Sequence, residues 1–284
     1  LNPIYVLTDL DGTLLHPDAT LSKLSREVVT DAIRDGHVIS YATARSYISS
    51  HAVAGEIHWR HPVVLYNGAL LFDPVAKVKL DGAFLNTGIT NQLIAFGKSF
   101  GLCPLLFALD HRDAERVLHE PLRRSGDQQF RASRPGDPRF QELDELQCPD
   151  DFQTLILTYI GHFEELKPLY EAVKGKHADQ VHIHMMPDGY LQDHYFLELS
   201  HPEANKRHGL RMWAKQVGCE PEQIIVFGDN LNDIGLFEAG GTKIAVGNAQ
   251  PGLKAMADRI IEANSEDGVA RYLQEVLEGV KETG

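Results

Sequence analysis

Cysteine is scarce in this sequence: Cys103, Cys148 and Cys219 are the only three in 284 residues. An odd number at wide spacing gives neither a disulfide framework nor a zinc-ligand pattern, and points to a reducing compartment. Positive charge is in deficit, with 27 Lys and Arg against 40 Asp and Glu and a formal net charge of -13. That argues against a nucleic-acid or anionic-membrane surface, since both need a basic patch. It leaves room for a local basic pocket that takes an anionic small molecule. No apolar run reaches membrane-spanning length. No basic leader with a cleavage site precedes the first apolar run, so no signal peptide is expected. Repeats and low-complexity segments are also lacking. A cytoplasmic protein is expected, long for one domain and comfortable for two.

What the chain does have is acid at the ends of apolar runs. Ile4 to Leu7 has the length and branching of a buried strand. Asp9 stands where that strand runs out, Asp11 follows, and Gly12 permits a sharp turn. Carboxylates this close repel one another unless a cation or strong hydrogen bonds compensate. Oxygen ligands of this kind suit Mg²⁺, and one Asp of such a pair can also attack an electrophile. A solvated Asp-Gly turn is the alternative. The pattern returns at Ile224 to Phe227, which ends in Gly228-Asp229. Asp233, four residues on, shares the side of the helix that begins there. Helix capping is the alternative reading for this second group. Capping alone does not account for acids at strand ends in both halves of the chain, so four carboxylates facing one metal are expected.

The elements between these motifs alternate. A helix is expected over 21–35, a strand over 37–42, a helix within 47–57 and a strand over 63–66. Strand and helix in turn imply a parallel α/β sheet whose strand ends share one edge. Asp9, Thr43 and Asn67 then share that edge, where open α/β sheets bind ligands. From 83 the character changes. A helix is expected over 91–100, a strand over 102–109, a short helix over 112–118 and a loop over 125–137. A strand over 152–160, a helix through 173 and strands over 181–186 and 195–199 follow. The parallel pattern resumes with a helix over 206–217, a strand over 224–227, a helix over 231–239, a strand over 243–246 and closing helices over 252–257 and 268–280.

Thr43 ends the second strand, where its hydroxyl can donate to an anion or simply cap a helix. Lys206 begins a helix and can neutralise a phosphate, or be one exposed lysine among many. Arg45 can clamp a second anionic group or lie on the surface. His182-x-His184 puts two imidazoles on one strand face, but two ligands do not make a zinc site, and the pair reads as a polar face. Arg123, Arg124, Arg131 and Arg134 read as a solvated face.

In order along the chain stand Asp9-x-Asp11-Gly12-Thr13, Ala42-Thr43-x-Arg45, Lys206 and Gly228-Asp229-x-x-Asn232-Asp233. This set resembles the haloacid dehalogenase-like (HAD) phosphohydrolase superfamily, and within it the Cof-type group, subfamily IIB. Tyr66-Asn67-Gly68-Ala69, Val246-Gly247-Asn248-Ala249 and the run Asn264 to Ala270 are also similar to that group. The chain departs from it at Arg207, where members often carry Gly. The resemblance implies a doubly wound parallel-sheet, Rossmannoid α/β core with an inserted α+β cap. Residues 1–82 and 194–284 would form the core and 83–193 the cap, which would select the substrate. It implies a Mg²⁺-dependent phosphatase acting on a small phosphorylated metabolite, a sugar phosphate above all. Asp9 would be the nucleophile and Asp11 the general acid/base. Asp229, with the Asp9 carboxylate and the Asp11 carbonyl, would hold the metal, oriented by Asp233. Thr43, Lys206 and Asn232 would bind the phosphoryl group, and Arg45, Asn67 and Gly68 would line the substrate. A phosphotransferase or phosphomutase of the same superfamily is the alternative, and a receiver-like regulatory protein phosphorylated on Asp a more distant one.

Overall fold

The computed structural model describes residues 3–187 and 191–283. The chain opens with β1 (Tyr5–Thr8), α1 (Lys23–Arg34), β2 (Val38–Tyr41), α2 (Tyr47–Ala54), β3 (Val63–Leu65), β4 (Leu70–Asp73) and β5 (Val78–Gly82). There follow α3 (Thr87–Ser99), β6 (Leu105–Leu109), β7 (Glu115–His119), α4 (Ser125–Ala132), β8 (Phe140–Glu142), β9 (Gln153–Gly161), α5 (Phe163–His177), β10 (His182–Pro187) and β11 (Tyr195–Ser200). The last stretch holds α6 (Lys206–Val217), β12 (Ile224–Gly228), α7 (Ile234–Ala239), β13 (Thr242–Ala245), α8 (Pro251–Lys254), β14 (Arg259–Ile260) and α9 (Gly268–Thr283). The chain divides into two compact units, Leu1–Gly82 with Ala204–Gly284, and Ala83–Glu203.

The first unit is built on a parallel sheet in the order β14-β13-β12-β1-β2. Val6, Leu7, Val226 and Phe227 of its two central strands are fully buried. Apolar runs without alternation are what a sheet covered on both faces requires. The register sets Thr8 level with Phe227 on one side and Tyr41 on the other, so the chain leaves β1, β2 and β12 at one edge. Local signals start the helices. The Ser22 hydroxyl accepts from the Ser25 N–H before α1, and the Asn205 side chain accepts from the His208 N–H before α6. Gly218, at φ +76, ends α6 in the left-handed conformation.

One strand departs from the expectation. β3 does not extend the parallel sheet as a full member. It touches it through a single Ala42–Val64 bridge and pairs antiparallel with β4 in the separate sheet β3-β4-β5. The hairpin β4-β5 is absent from the sequence reading. Asp73 makes its turn, its carboxylate accepting from the Val75 and Ala76 N–H groups.

The second unit has one sheet, β10-β11-β9-β6-β7-β8, antiparallel except for the parallel pair β7-β8. One face packs Leu106, Leu157, Tyr159, Leu197 and Leu199 against Leu93 and Ile94 of α3 and Leu166, Leu169 and Val173 of α5. Three expectations are corrected here. Residues 112–118, expected as helix, lead into strand β7. The Asp110 carboxylate accepts from the Arg112 and Ala114 N–H groups and folds the chain into a hairpin instead. Residues 125–132, expected as loop, form α4, held by Phe130 among the rings of Phe107, Phe140 and Phe196. A helix anchored at one aromatic shows no apolar period. Finally, β11 pairs with β9 and β10 in this sheet, so the return to the first unit comes at Ala204, ten residues beyond the expected 193/194 boundary. Residues 194–203 thus belong to the second unit, because Tyr195–Ser200 completes its antiparallel sheet. No helix among the described residues is long and apolar enough to cross a membrane.

Candidate active site

β1 hands the chain to Asp9 in extended conformation, and the Asp9 N–H donates to the Phe227 carbonyl, continuing the ladder with β12. Leu10–Leu14 then form one wide turn, closed by Leu15 N–H to the Leu10 carbonyl at 2.9 Å. Gly12 sits in this turn at φ +78, and a Cβ there would lie 2.4 Å from Asp229 Oδ2. Glycine is thus required twice, for the backbone and for the close approach of Asp229. The Thr13 hydroxyl donates to Asp229 Oδ1 at 3.1 Å.

Asp9, Asp229 and Asp233 each offer a carboxylate oxygen within 4.8 Å of the others. Lys206, with a side chain 0% exposed, donates to Asp9 Oδ1 at 2.5 Å and to Asp233 Oδ1 at 2.6 Å. The other oxygen of Asp233 accepts from the backbone N–H groups of Asp229 and Asn230, at 3.0 and 3.1 Å. Asp233 therefore fixes both the lysine and the start of the loop that bears Asp229. Burial, followed by the charge of Asp233, holds the Asp9 carboxyl well above the usual carboxylate range, against the pull of Lys206. The same two causes lift Asp229 to about 6. Burial works against the charge of Lys206, but Asp233 and Asp9 outweigh it and its pKa is raised. Fully ionised, three carboxylates and one ammonium would leave two negative charges in a largely buried place, which is why Asp9 and Asp229 are pushed toward holding protons. An oxygen-ligated divalent cation fits that donor set and that deficit.

Asp11 stands apart. The sequence reading places four carboxylates together, and the structure gathers three. The Asp11 carboxylate faces Arg45, whose Nη2 donates to Oδ1 at 2.6 Å and Nε to Oδ2 at 2.7 Å. The strand geometry explains the separation, since the turn after Asp9 carries Asp11 outward, where its side chain is 46% exposed. Arg45 is accordingly not disengaged and waiting for a substrate anion.

The remaining expected residues are distributed as follows. Thr43 is buried and does not cap α2, a role taken by Ser46. Its hydroxyl accepts from the Arg45 N–H at 3.1 Å. Asn67, at φ +54, accepts from the Asn232 side chain at 3.1 Å. Gly68 has a steric role in the structure: a Cβ there would lie 2.0 Å from the Asn205 carbonyl, at the residue that caps the helix bearing Lys206. Arg207 ion-pairs with Glu238, and the lysine before it stays buried in the acid cluster.

Further residues emerge that carried no assigned role. Asn248 donates to the Gly12 carbonyl at 2.8 Å and accepts from the Asn264 N–H at 2.9 Å. Asn264 in turn donates to the Leu15 carbonyl at 2.8 Å, and Asp267 pairs with His16 at 2.8 Å. Two C-terminal loops thereby tie down the turn that carries Asp11. Their motifs were visible in the sequence, but nothing there named the partner carbonyls.

Comparison with known proteins shows the family of the chain. A model of the haloacid dehalogenase-like hydrolase family matches residues 6–273. The pyridoxal phosphate phosphatase YbhA of Escherichia coli is 26% identical over 270 residues, covering 94% of this chain and 96% of that protein. The 5-amino-6-(5-phospho-D-ribitylamino)uracil phosphatase YitU of Bacillus subtilis is 26% identical over 276 residues, covering 96% and 97%. In fold, a haloacid dehalogenase-like hydrolase from Bacteroides thetaiotaomicron superposes with a TM-score of 0.80 at 21% identity, covering 97% of this chain and 100% of that one. With a family match over nearly its whole length, this chain belongs to the haloacid dehalogenase-like hydrolases and is an enzyme of the phosphatase type.

Proposed function

We propose that this phosphatase hydrolyses a small phosphorylated metabolite, a sugar phosphate being the first class to test, through an aspartyl phosphate on Asp9. The observation that carries the reading is Asp9 itself. It is a buried strand-end carboxylate with an ammonium at 2.5 Å and two further carboxylates within 4.8 Å. An oxygen of Asp9 attacks phosphorus, and the bond to the leaving oxygen breaks as Asp11 gives that oxygen a proton. Water then attacks phosphorus, Asp11 takes a proton from it, and inorganic phosphate leaves as the Asp9 carboxylate is restored. Lys206 and the Thr43 hydroxyl hold the phosphoryl oxygens, with Asn232 nearby. Asp9, Asp229 and the Asp11 backbone carbonyl would hold Mg²⁺, with Asp233 orienting the set. Bound there, the cation supplies positive charge against the charge on the transferring group.

The unit Ala83–Glu203 is proposed to choose the leaving group. The relatives named for pyridoxal phosphate and for a phosphoribitylamino uracil support a small organic phosphate as substrate. The acidic net charge of -13 suits a cytoplasmic enzyme acting on such an ester better than one working on nucleic acid or a membrane.

The test separates the two N-terminal acids. Asp9→Asn should form no phosphoenzyme with any substrate. Asp11→Asn given an aryl phosphate, whose leaving oxygen needs little protonation, should release a burst of about one equivalent and trap the acyl phosphate on Asp9. Mass analysis of the quenched peptide carrying Asp9 reads the outcome. No burst and no phosphoenzyme from either variant would overturn the mechanism. A survey of phosphorylated metabolites for phosphate release without added acceptor separates hydrolysis from phosphoryl transfer to a sugar.

A further inference from the structure

We infer that Arg45 is a positioning residue for Asp11 instead of a contact for the substrate. The inference rests on the reading of Asp11 as the acid/base group. Each nitrogen of the guanidinium has a partner within the first unit. Nε and Nη2 take the two oxygens of Asp11 at 2.7 and 2.6 Å, and Nη1 takes the hydroxyl of Ser49 at 3.0 Å. The backbone of Arg45 is fixed as well, its N–H on the Thr43 hydroxyl at 3.1 Å and its carbonyl accepting from the Tyr66 N–H at 3.1 Å. The arginine side chain is 18% exposed and its aspartate 46%, so the cation is the anchored partner and the carboxylate the held one.

A two-point grip defines a plane as well as a distance. It fixes the Asp11 carboxylate in direction, which a single contact would not do. It also compensates an acid that the Lys206 ammonium, engaged by Asp9 and Asp233, does not touch. Without the grip, Asp11 could swing toward Asp229 and Asp9 and add a fourth carboxylate to a buried group that already holds three against one ammonium. The division is therefore between two cations: Lys206 compensates the nucleophile, and Arg45 aims the acid/base. The fork engages both oxygens of Asp11, so proton delivery requires the carboxyl to leave it, take up a proton from water and reach the leaving oxygen; Arg45 sets the start of that movement and does not touch the reacting atoms.

The experiment is a double-mutant cycle on single-turnover and steady-state hydrolysis of an aryl phosphate and an alkyl phosphate. R45A should lower kcat by roughly 10- to 100-fold, a part of what a general acid/base supplies, with KM unchanged and the alkyl ester hit harder. In the D11N background, R45A should leave the rate of the aryl-phosphate burst unaltered, because the group it aims is gone. R45K, which keeps the charge but loses the fork, should recover only part of kcat, and it carries the same comparison should R45A not fold. A rise in KM with kcat retained, equal in both backgrounds, would overturn the inference and make Arg45 a substrate contact. So would full activity of R45A. If D11N gives no phosphoenzyme even with Arg45 intact, the catalytic reading itself fails, and this assignment falls with it.

Discussion

The Asn264 side chain donates to the carbonyl of Leu15 at 2.8 Å, joining two points 249 residues apart. With Asn248 on the Gly12 carbonyl, it closes a clamp over the turn that carries Asp11. Asn264 is 4% exposed, so its removal leaves a buried carbonyl without this donor. Asn264→Ala should cost about 1–3 kcal/mol of stability and lower kcat as the turn loosens. Urea unfolding and steady-state kinetics check both. A variant equal to the parent in midpoint and turnover would show that the clamp positions nothing.

Lys206→Met should be the more damaging change. It strips the buried Asp9 and Asp233 of their shared ammonium. Breaking a buried pair of this kind costs roughly 3–5 kcal/mol. The denaturation midpoint should fall accordingly, and Mg²⁺ should restore part of the loss by supplying the missing positive charge. An unmoved midpoint would contradict the pairing.

Mg²⁺ should raise the melting temperature of the parent protein, since binding to the folded state alone adds about 2.7 kcal/mol at a hundred times Kd. Asp229→Asn should abolish that shift, and excess chelator should halt turnover. Full turnover in chelator would remove the metal from the scheme.

Asp127 supplies a pH test in the second unit. It is 6% exposed, and burial lifts its carboxyl from the ordinary 3.8 to about 6, against the nearby Arg124. The folded state thus holds this proton more tightly than the unfolded chain. The cost of burying the charge is absent below about pH 4, grows as pH rises, and is complete above about pH 6 at roughly 3 kcal/mol. Asp127→Asn should stabilise the protein above pH 6 by up to that amount and change little at pH 4. Equal effects at both pH values would refute the assignment.

The site was legible where chemistry follows directly on an apolar run. Asp9 and Asp229 each stand just past a buried strand, and the parallel register of β1 with β12 brings them to one edge. Lys206 was legible by motif, although its burial was not, because nothing in a helix start announces two carboxylates above it. The Asp11–Arg45 pair was not legible. Spacing suggested that Asp11 joins the other acids, and only the outward turn at Gly12 shows otherwise. The fold failed to read at Arg112 and Ser125 for a similar reason. There a side chain such as Asp110 or Phe130 decides the local structure through a contact that no period records.

The order in which the first unit is written along the chain bears on how it is made. β1 is central, with β2 on one side and β12 on the other, yet β12 begins at Ile224, beyond the whole of the second unit. During synthesis β1 leaves the ribosome with one edge unpaired, before Lys206, Asp229 and Asp233 have been translated. The carboxylates of Asp9 and Asp11 then stay in water, where they repel little. The site proposed above is therefore complete only after Ala83–Glu203 has been made, because Asp9 precedes that unit and Lys206, Asp229 and Asp233 follow it.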